Sequence, residues 1–162
     1  MWKAVLISVA LAAAAGPIHE AGHAVAVKLL TGIWPRFTLW AVFPPPIPSQ
    51  EAALTILLAG DIAVLLWWLF VVICVRHRPG WRWALIGPSF MALISLASWF
   101  VAAAMSPFGM AHVGASDAAK FLVVSGVSPL WMISGVSLAA LGITVCMKNT
   151  APTSQNGAHS SY

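Results

Sequence analysis

Charge is what this sequence has least of: four of its 162 residues are acidic, eight are Lys or Arg, and charged side chains make up 7% of the chain against 60% hydrophobic. Soluble domains carry about 25% charged and about 45–50% apolar residues, so a water-soluble globular fold is excluded and an integral membrane protein is expected. The basic residues are scattered in short loops and form no run or stripe. Nucleic-acid binding is therefore excluded as well, and the net charge of +4 reads as a topology signal. Cysteine is scarce too: Cys74 and Cys146 both fall in apolar segments, where a free cysteine behaves as a small buried hydrophobe. No internal repeat is visible.

What is present is a series of long apolar runs, each near the roughly 20 residues that a membrane-spanning helix needs. The first runs from about Val5 to Leu30 and stops at Thr31-Gly32. Its beginning, MWKAVLISVALAAAAG, has the layout of a secretory signal. Cleavage is not expected, because it would leave the following histidines on a stub too short to span. The stretch GIWPRFTLWAVFPPPIPSQ is broken by Pro35 and the Pro44–Pro48 cluster; with Phe37, Leu39, Ala41 and Phe43 on one parity it is read as a short strand or hairpin at the membrane surface.

The second span is placed at about Glu51 to Val75 and the third at about Trp83 to Met105, with Trp81, Trp83 and Trp99 in interfacial positions. The last apolar region, about Asp117 to Met147, contains Gly126 and Pro129, so it is one kinked helix or two helices of which the first is short. The fold class expected is an all-α integral membrane protein of about four transmembrane helices, with five as the alternative, and an irregular or short β segment after the first. Residues 1–148 form one polytopic domain. Residues 149–162 are read as a disordered polar tail in which His159 has no role.

The chemistry is concentrated in His19-Glu20-Ala21-Gly22-His23, an H-E-x-x-H pattern inside the first span. Residues four apart share a helix face, so two imidazoles can bind one Zn²⁺ while the glutamate one position on reaches an activated water. Glu20 can then take a proton from that water and deliver it to a leaving amine. From the counts of His and Glu in this chain, the pattern is expected by chance in about 0.002 of such sequences. Three ionisable groups within five residues are costly in hydrocarbon and functional by default. The small residues around them, Ala12 to Gly16 with Ala21, Gly22, Ala24 and Ala26, permit close helix approach.

A catalytic zinc takes three protein ligands and keeps one position open. The carboxylates available for the third are Glu51, Asp61 and Asp117. Glu51 falls in the first turn of the second span, where favourable interaction with the helix dipole is role enough. Asp61 lies about 15 Å into that span, where an acid needs a function. Asp117 follows Ser116 at a helix start, with Lys120 one turn on as a partner. The histidines lie about 12 Å from the end of the first span, on the side to which the chain returns at 106–116. Geometry leaves Asp61 and Asp117 open, and His112 is a weaker candidate in the linker.

These residues resemble the site-2 proteases, intramembrane zinc metallopeptidases that cleave transmembrane segments of other proteins. The resemblance rests on HEAGHAVAVKLLTGIWPRFTLW, with H-E-x-x-H in the first core helix followed by a glycine and an irregular segment. It extends to LLAGDIAVLL, which looks like the family's A-G-P-x-x-N segment, and to Asp117 about ninety residues after the histidines. In that family an aspartate of a later helix completes the zinc site. The resemblance thus implies one zinc ion held by His19, His23 and Asp117, with Asp61 as the alternative third ligand and Glu20 as the catalytic residue.

The chain departs from the family's pattern. In AGDIAV, Asp61 stands where proline is usual and Val64 where asparagine is usual, and GASDAAKF lacks the usual prolines before Asp117 and the glycine after it. The function expected is a zinc endopeptidase acting on a transmembrane protein or peptide substrate. It would be a multi-pass protein of a prokaryotic cell membrane, with lipid and no nucleic acid as its surroundings. The alternatives are a membrane metal transporter or metal-binding subunit using Asp61, and an inactive protease-like scaffold. Five basic residues (Lys3, Arg76, Arg78, Arg82, Lys148) mark one side as cytoplasmic, whereas the resemblance implies the side of Lys28, Arg36 and Lys120.

Overall fold

The computed structural model describes residues 2–108 and 116–150; His112, His159 and residues 151–162 of the tail lie outside the described residues. Helix α1 (Trp2–Ala13) is followed by α2 (Ala15–Thr31), and the two form one apolar stretch, Trp2–Thr31. The expected single helix is interrupted at Ala14 for a local reason. Pro17 has no N–H to offer the Ala13 carbonyl four residues back, so the ladder loses a bond there. Helix α2 ends where expected, with Gly32 at φ 73° donating its N–H to the Lys28 carbonyl, a left-handed cap that favours glycine.

The chain then turns through strands β1 (Arg36–Phe37) and β2 (Val42–Phe43), antiparallel with Arg36 opposite Phe43 and Phe37 opposite Val42. The alternating pattern does not run through one strand, because the turn falls in its middle, where Thr38 N–H donates to the Ala41 carbonyl at 2.8 Å. Val42 packs onto Ala26, Val27 and Ile56, which ties the hairpin to α2 and α3.

Helix α3 (Gln50–Val75) begins on Ser49, whose hydroxyl accepts from Ala52 N–H, and leaves Glu51 exposed in the first turn. A 3-10 segment (Pro79–Leu85) leads into α4 (Ile86–Met105), and a further 3-10 turn covers Ser106–Phe108. The last region is two helices: α5 (Asp117–Ser125) ends on Gly126 at φ 65°, and α6 (Pro129–Thr150) begins on a proline, the usual positions for both residue types. With nine residues, α5 is far short of a span. Among the described residues four stretches are long and apolar enough to cross a membrane: Trp2–Thr31, Gln50–Val75, Trp81–Phe108 and Pro129–Lys148. The chain is an all-α membrane protein of four such helices, and the five-span alternative falls away.

Helix α3 packs against α2, α4 and α5, and α4 packs against α6. Large apolar side chains such as Leu29, Leu66, Phe70, Phe90 and Leu138 face outward, which hydrocarbon accepts and water would not. Lipid gives helices no hydrophobic reason to associate, so close packing and polar ties must hold them. Gly22 lets α2 and α3 approach closely: a Cβ there would lie 2.5 Å from the Ala59 carbonyl oxygen and 2.7 Å from Ala63 Cβ. Trp68 Nε1 donates to Ser89 Oγ at 2.9 Å and Gly87 N–H to Ser8 Oγ at 2.7 Å.

Two expectations are corrected. Trp99 is not interfacial: it is buried, packed with Ala102, Ala103 and Leu122, because its indole N–H has a partner inside the bundle. Trp81 and Trp83 are exposed. Cys74 faces outward rather than into a core, while Cys146 is half-buried; in hydrocarbon an outward thiol costs little.

Candidate metal centre

The two histidines follow from the α2 period, four residues apart on the face turned to α3. Room for them comes from α3. A Cβ on Gly60 would lie 2.5 Å from His23 Nε2 and 2.7 Å from His19 Cε1, so the rings occupy the space that any other residue at position 60 would fill. The rings stand perpendicular, with centroids 4.6 Å apart. His23 is anchored further: its Nδ1–H donates to the Ile56 carbonyl at 2.6 Å. A carbonyl can only accept, so the proton is on Nδ1 and the Nε2 of the neutral ring carries a lone pair.

Asp117 arrives from the opposite side, on the first turn of α5. Ser116 caps that helix by accepting from Ala119 N–H, and this leaves the Asp117 carboxylate free to point at the histidines. Its Oδ2 lies 3.0 Å from His23 Nε2 and 3.2 Å from His19 Nε2, and the two Nε2 atoms are 3.0 Å apart. Lys120 Nζ sits 3.7 Å from Asp117 Oδ1, with that lysine side chain half exposed.

With both rings neutral and protonated on Nδ1, these three atoms form a triangle of acceptors. A proton on His19 Nε2 could satisfy one of the three contacts, and the other edges would still bring lone pairs together. A cation at their centre relieves all three. Zinc bonds of about 2.0–2.1 Å at tetrahedral angles place ligand atoms about 3.3–3.4 Å apart, within a few tenths of an ångström of the separations here. The donor set of two imidazoles and one carboxylate is one that zinc accepts, so His19, His23 and Asp117 could hold such an ion.

Asp61 is elsewhere. Its carboxylate faces the other edge of the His19 ring, with Oδ1 3.7 Å from Nδ1. It accepts from Ser95 Oγ and, at 2.6 Å, from Trp99 Nε1. The structure therefore brings Asp117, and not Asp61, to the histidine Nε2 pair. Glu51, exposed in the first turn of α3, is not one of the converging groups.

Glu20, His23 and Asp117 line one side of a cavity of about 570 Å³. Trp40, Val42 and Pro44 of the hairpin, Ala53 and Ile56 of α3, and Lys120 and Val124 of α5 complete it. Among the described residues the Glu20 carboxylate has no hydrogen-bond partner, so it is open to whatever enters. Counting from Gln50, the centre lies about 15 Å along α3.

Sequence reasoning found the histidines, Glu20 and both aspartates, but not the supporting residues. Gly60 carried a signal, a glycine directly before an acid inside an apolar helix. Ser95 and Trp99, four apart on α4, are a polar pair on one face. The Ile56 carbonyl has no sequence signature at all. No protein-family model, curated protein or solved structure matches this chain, so its site is interpreted from geometry and chemistry.

Proposed function

We propose that the chain is an intramembrane zinc metalloendopeptidase that hydrolyses peptide bonds in or next to transmembrane segments of other proteins, as a multi-pass protein of a prokaryotic cell membrane. The observation that carries this reading is the convergence of His19 Nε2, His23 Nε2 and Asp117 Oδ2 within 3.2 Å of one another, beside Glu20 in one cavity. His19, His23 and Asp117 would hold the ion. When bound, zinc supplies Lewis acidity to a peptide carbonyl and to water.

The remaining steps belong to the chain's own groups. Glu20 takes a proton from the attacking water and returns it to the departing amine. His23 is kept in the correct tautomer by Ile56. The hairpin and α5 flank the cavity, so an unwound substrate segment lying there would meet β2, where an extended chain can add to a strand edge.

Metal transport through Asp61 is less well supported, because both Asp61 oxygens already accept from α4. The inactive-scaffold alternative rests on the altered AGDIAV and GASDAAKF segments, and the comparison below separates it from the proposal. The test uses the full chain in detergent with a model transmembrane substrate, comparing wild type with Glu20→Gln. Cleavage by the wild type, with its loss and retained zinc in Glu20→Gln, supports the proposal. Cleavage by both forms alike, or by neither, contradicts it.

A further inference from the structure

Asp61 is an acid in unlikely surroundings: it borders an apolar cavity of about 360 Å³ with Leu58, Leu96 and Phe121, and its side chain is 14% exposed. A carboxylate at this depth is kept only where donors hold it and some use repays the cost. Two donors come from α4, Ser95 Oγ on Oδ1 and Trp99 Nε1 on Oδ2. They aim the carboxylate so that Oδ1 also faces His19 Nδ1 at 3.7 Å, longer than a hydrogen bond but within reach of charge pairing.

The two histidines then each turn Nδ1 toward an acceptor on α3, His23 in a hydrogen bond and His19 at a longer distance. His23 has its Nδ1 on the Ile56 carbonyl and His19 has its Nδ1 toward Asp61. Both supports lie on α3, on either side of Gly60, against which the rings rest. An imidazole that binds metal through Nε2 must carry its proton on Nδ1, and an acceptor facing that atom fixes tautomer and ring orientation together.

We infer that Asp61 is a positioning residue for His19, itself held by Ser95 and Trp99, and that it acts by keeping the His19 Nδ1 protonated and its Nε2 turned to His23 and Asp117. The inference rests on the metallopeptidase reading above. It assigns Asp61 a different task from that of a third ligand.

The experiment measures zinc affinity of the full chain in detergent by competition with a chelator, for wild type, Asp61→Asn and Trp99→Phe. It also records the imidazole Nδ1–H resonances of ¹⁵N-histidine-labelled, zinc-loaded protein. Loss of such a partner weakens metal binding by about 10–100-fold; that loss is expected for Asp61→Asn, and a smaller one in the same direction for Trp99→Phe. The His19 Nδ1–H resonance moves upfield in both variants, while that of His23, held by Ile56, stays in place.

Trp99→Phe keeps the carboxylate and carries the test alone if Asp61→Asn loses its helical content. Zinc-binding wild type with unchanged affinity and an unmoved His19 resonance in the folded variants overturns the positioning role alone. Equal movement of both histidine resonances does the same, since it marks a general loosening. A wild type that binds no zinc overturns the metallopeptidase reading and this inference together.

Discussion

His23 donates its Nδ1 proton to the Ile56 carbonyl of the neighbouring helix at 2.6 Å, and that one contact decides what its other nitrogen can do. Nε2 is left as an acceptor facing two more, His19 Nε2 and Asp117 Oδ2. The ring cannot relieve this by flipping without leaving the Ile56 carbonyl. A preorganised set of lone pairs of this kind favours a cation over a hydrogen-bond network.

Gly60 is the position where a single methyl group should do the most damage. In Gly60→Ala the new Cβ would lie 2.5 Å from His23 Nε2, and such overpacking costs about 1–3 kcal/mol. Zinc affinity should fall roughly 10–100-fold on that cost, with the helical content of the detergent-solubilised protein unchanged. Wild-type affinity in the variant would show that the rings do not need the space.

The hairpin should matter for cleavage and not for metal. None of the three converging atoms comes from residues 37–43, yet Trp40, Ala41 and Val42 line the cavity. Deleting residues 37–43 is expected to abolish cleavage of a model transmembrane substrate and leave zinc stoichiometry intact. Unchanged cleavage would remove the hairpin from the substrate path.

Lys120 should matter little. Its side chain is 54% exposed and lies 3.7 Å from Asp117 Oδ1, and such pairs are worth at most about 1 kcal/mol. Lys120→Ala is expected to change zinc affinity less than about fivefold, measured by the same chelator competition. A loss as large as that of Asp117→Ala would place Lys120 within the centre itself.

The parts of this molecule legible in the sequence are those set by local rules. H-E-x-x-H places two histidines on one helix face, Gly32 and Gly126 end helices, Pro129 starts one, and long apolar runs mark the spans. Tertiary choices were not legible. Asp61 and Asp117 have similar sequence credentials, and only the packing of α4 against α3, which supplies Ser95 and Trp99 to one of them, separates their surroundings. Trp99 itself was misread, because an amphipathic indole suits a membrane interface and a buried donor equally well. The break at Ala14 was readable from Pro17, and the apolar pattern running through it concealed it.

Zinc K-edge X-ray absorption on the purified wild-type chain addresses the proposed metal centre most directly. The result expected is one zinc per chain with nitrogen and oxygen ligands alone at about 2.0–2.2 Å and the scattering pattern of two imidazoles. Protein without stoichiometric zinc, or a sulfur ligand at about 2.3 Å that would bring in Cys74 or Cys146, contradicts a centre built from His19, His23 and Asp117.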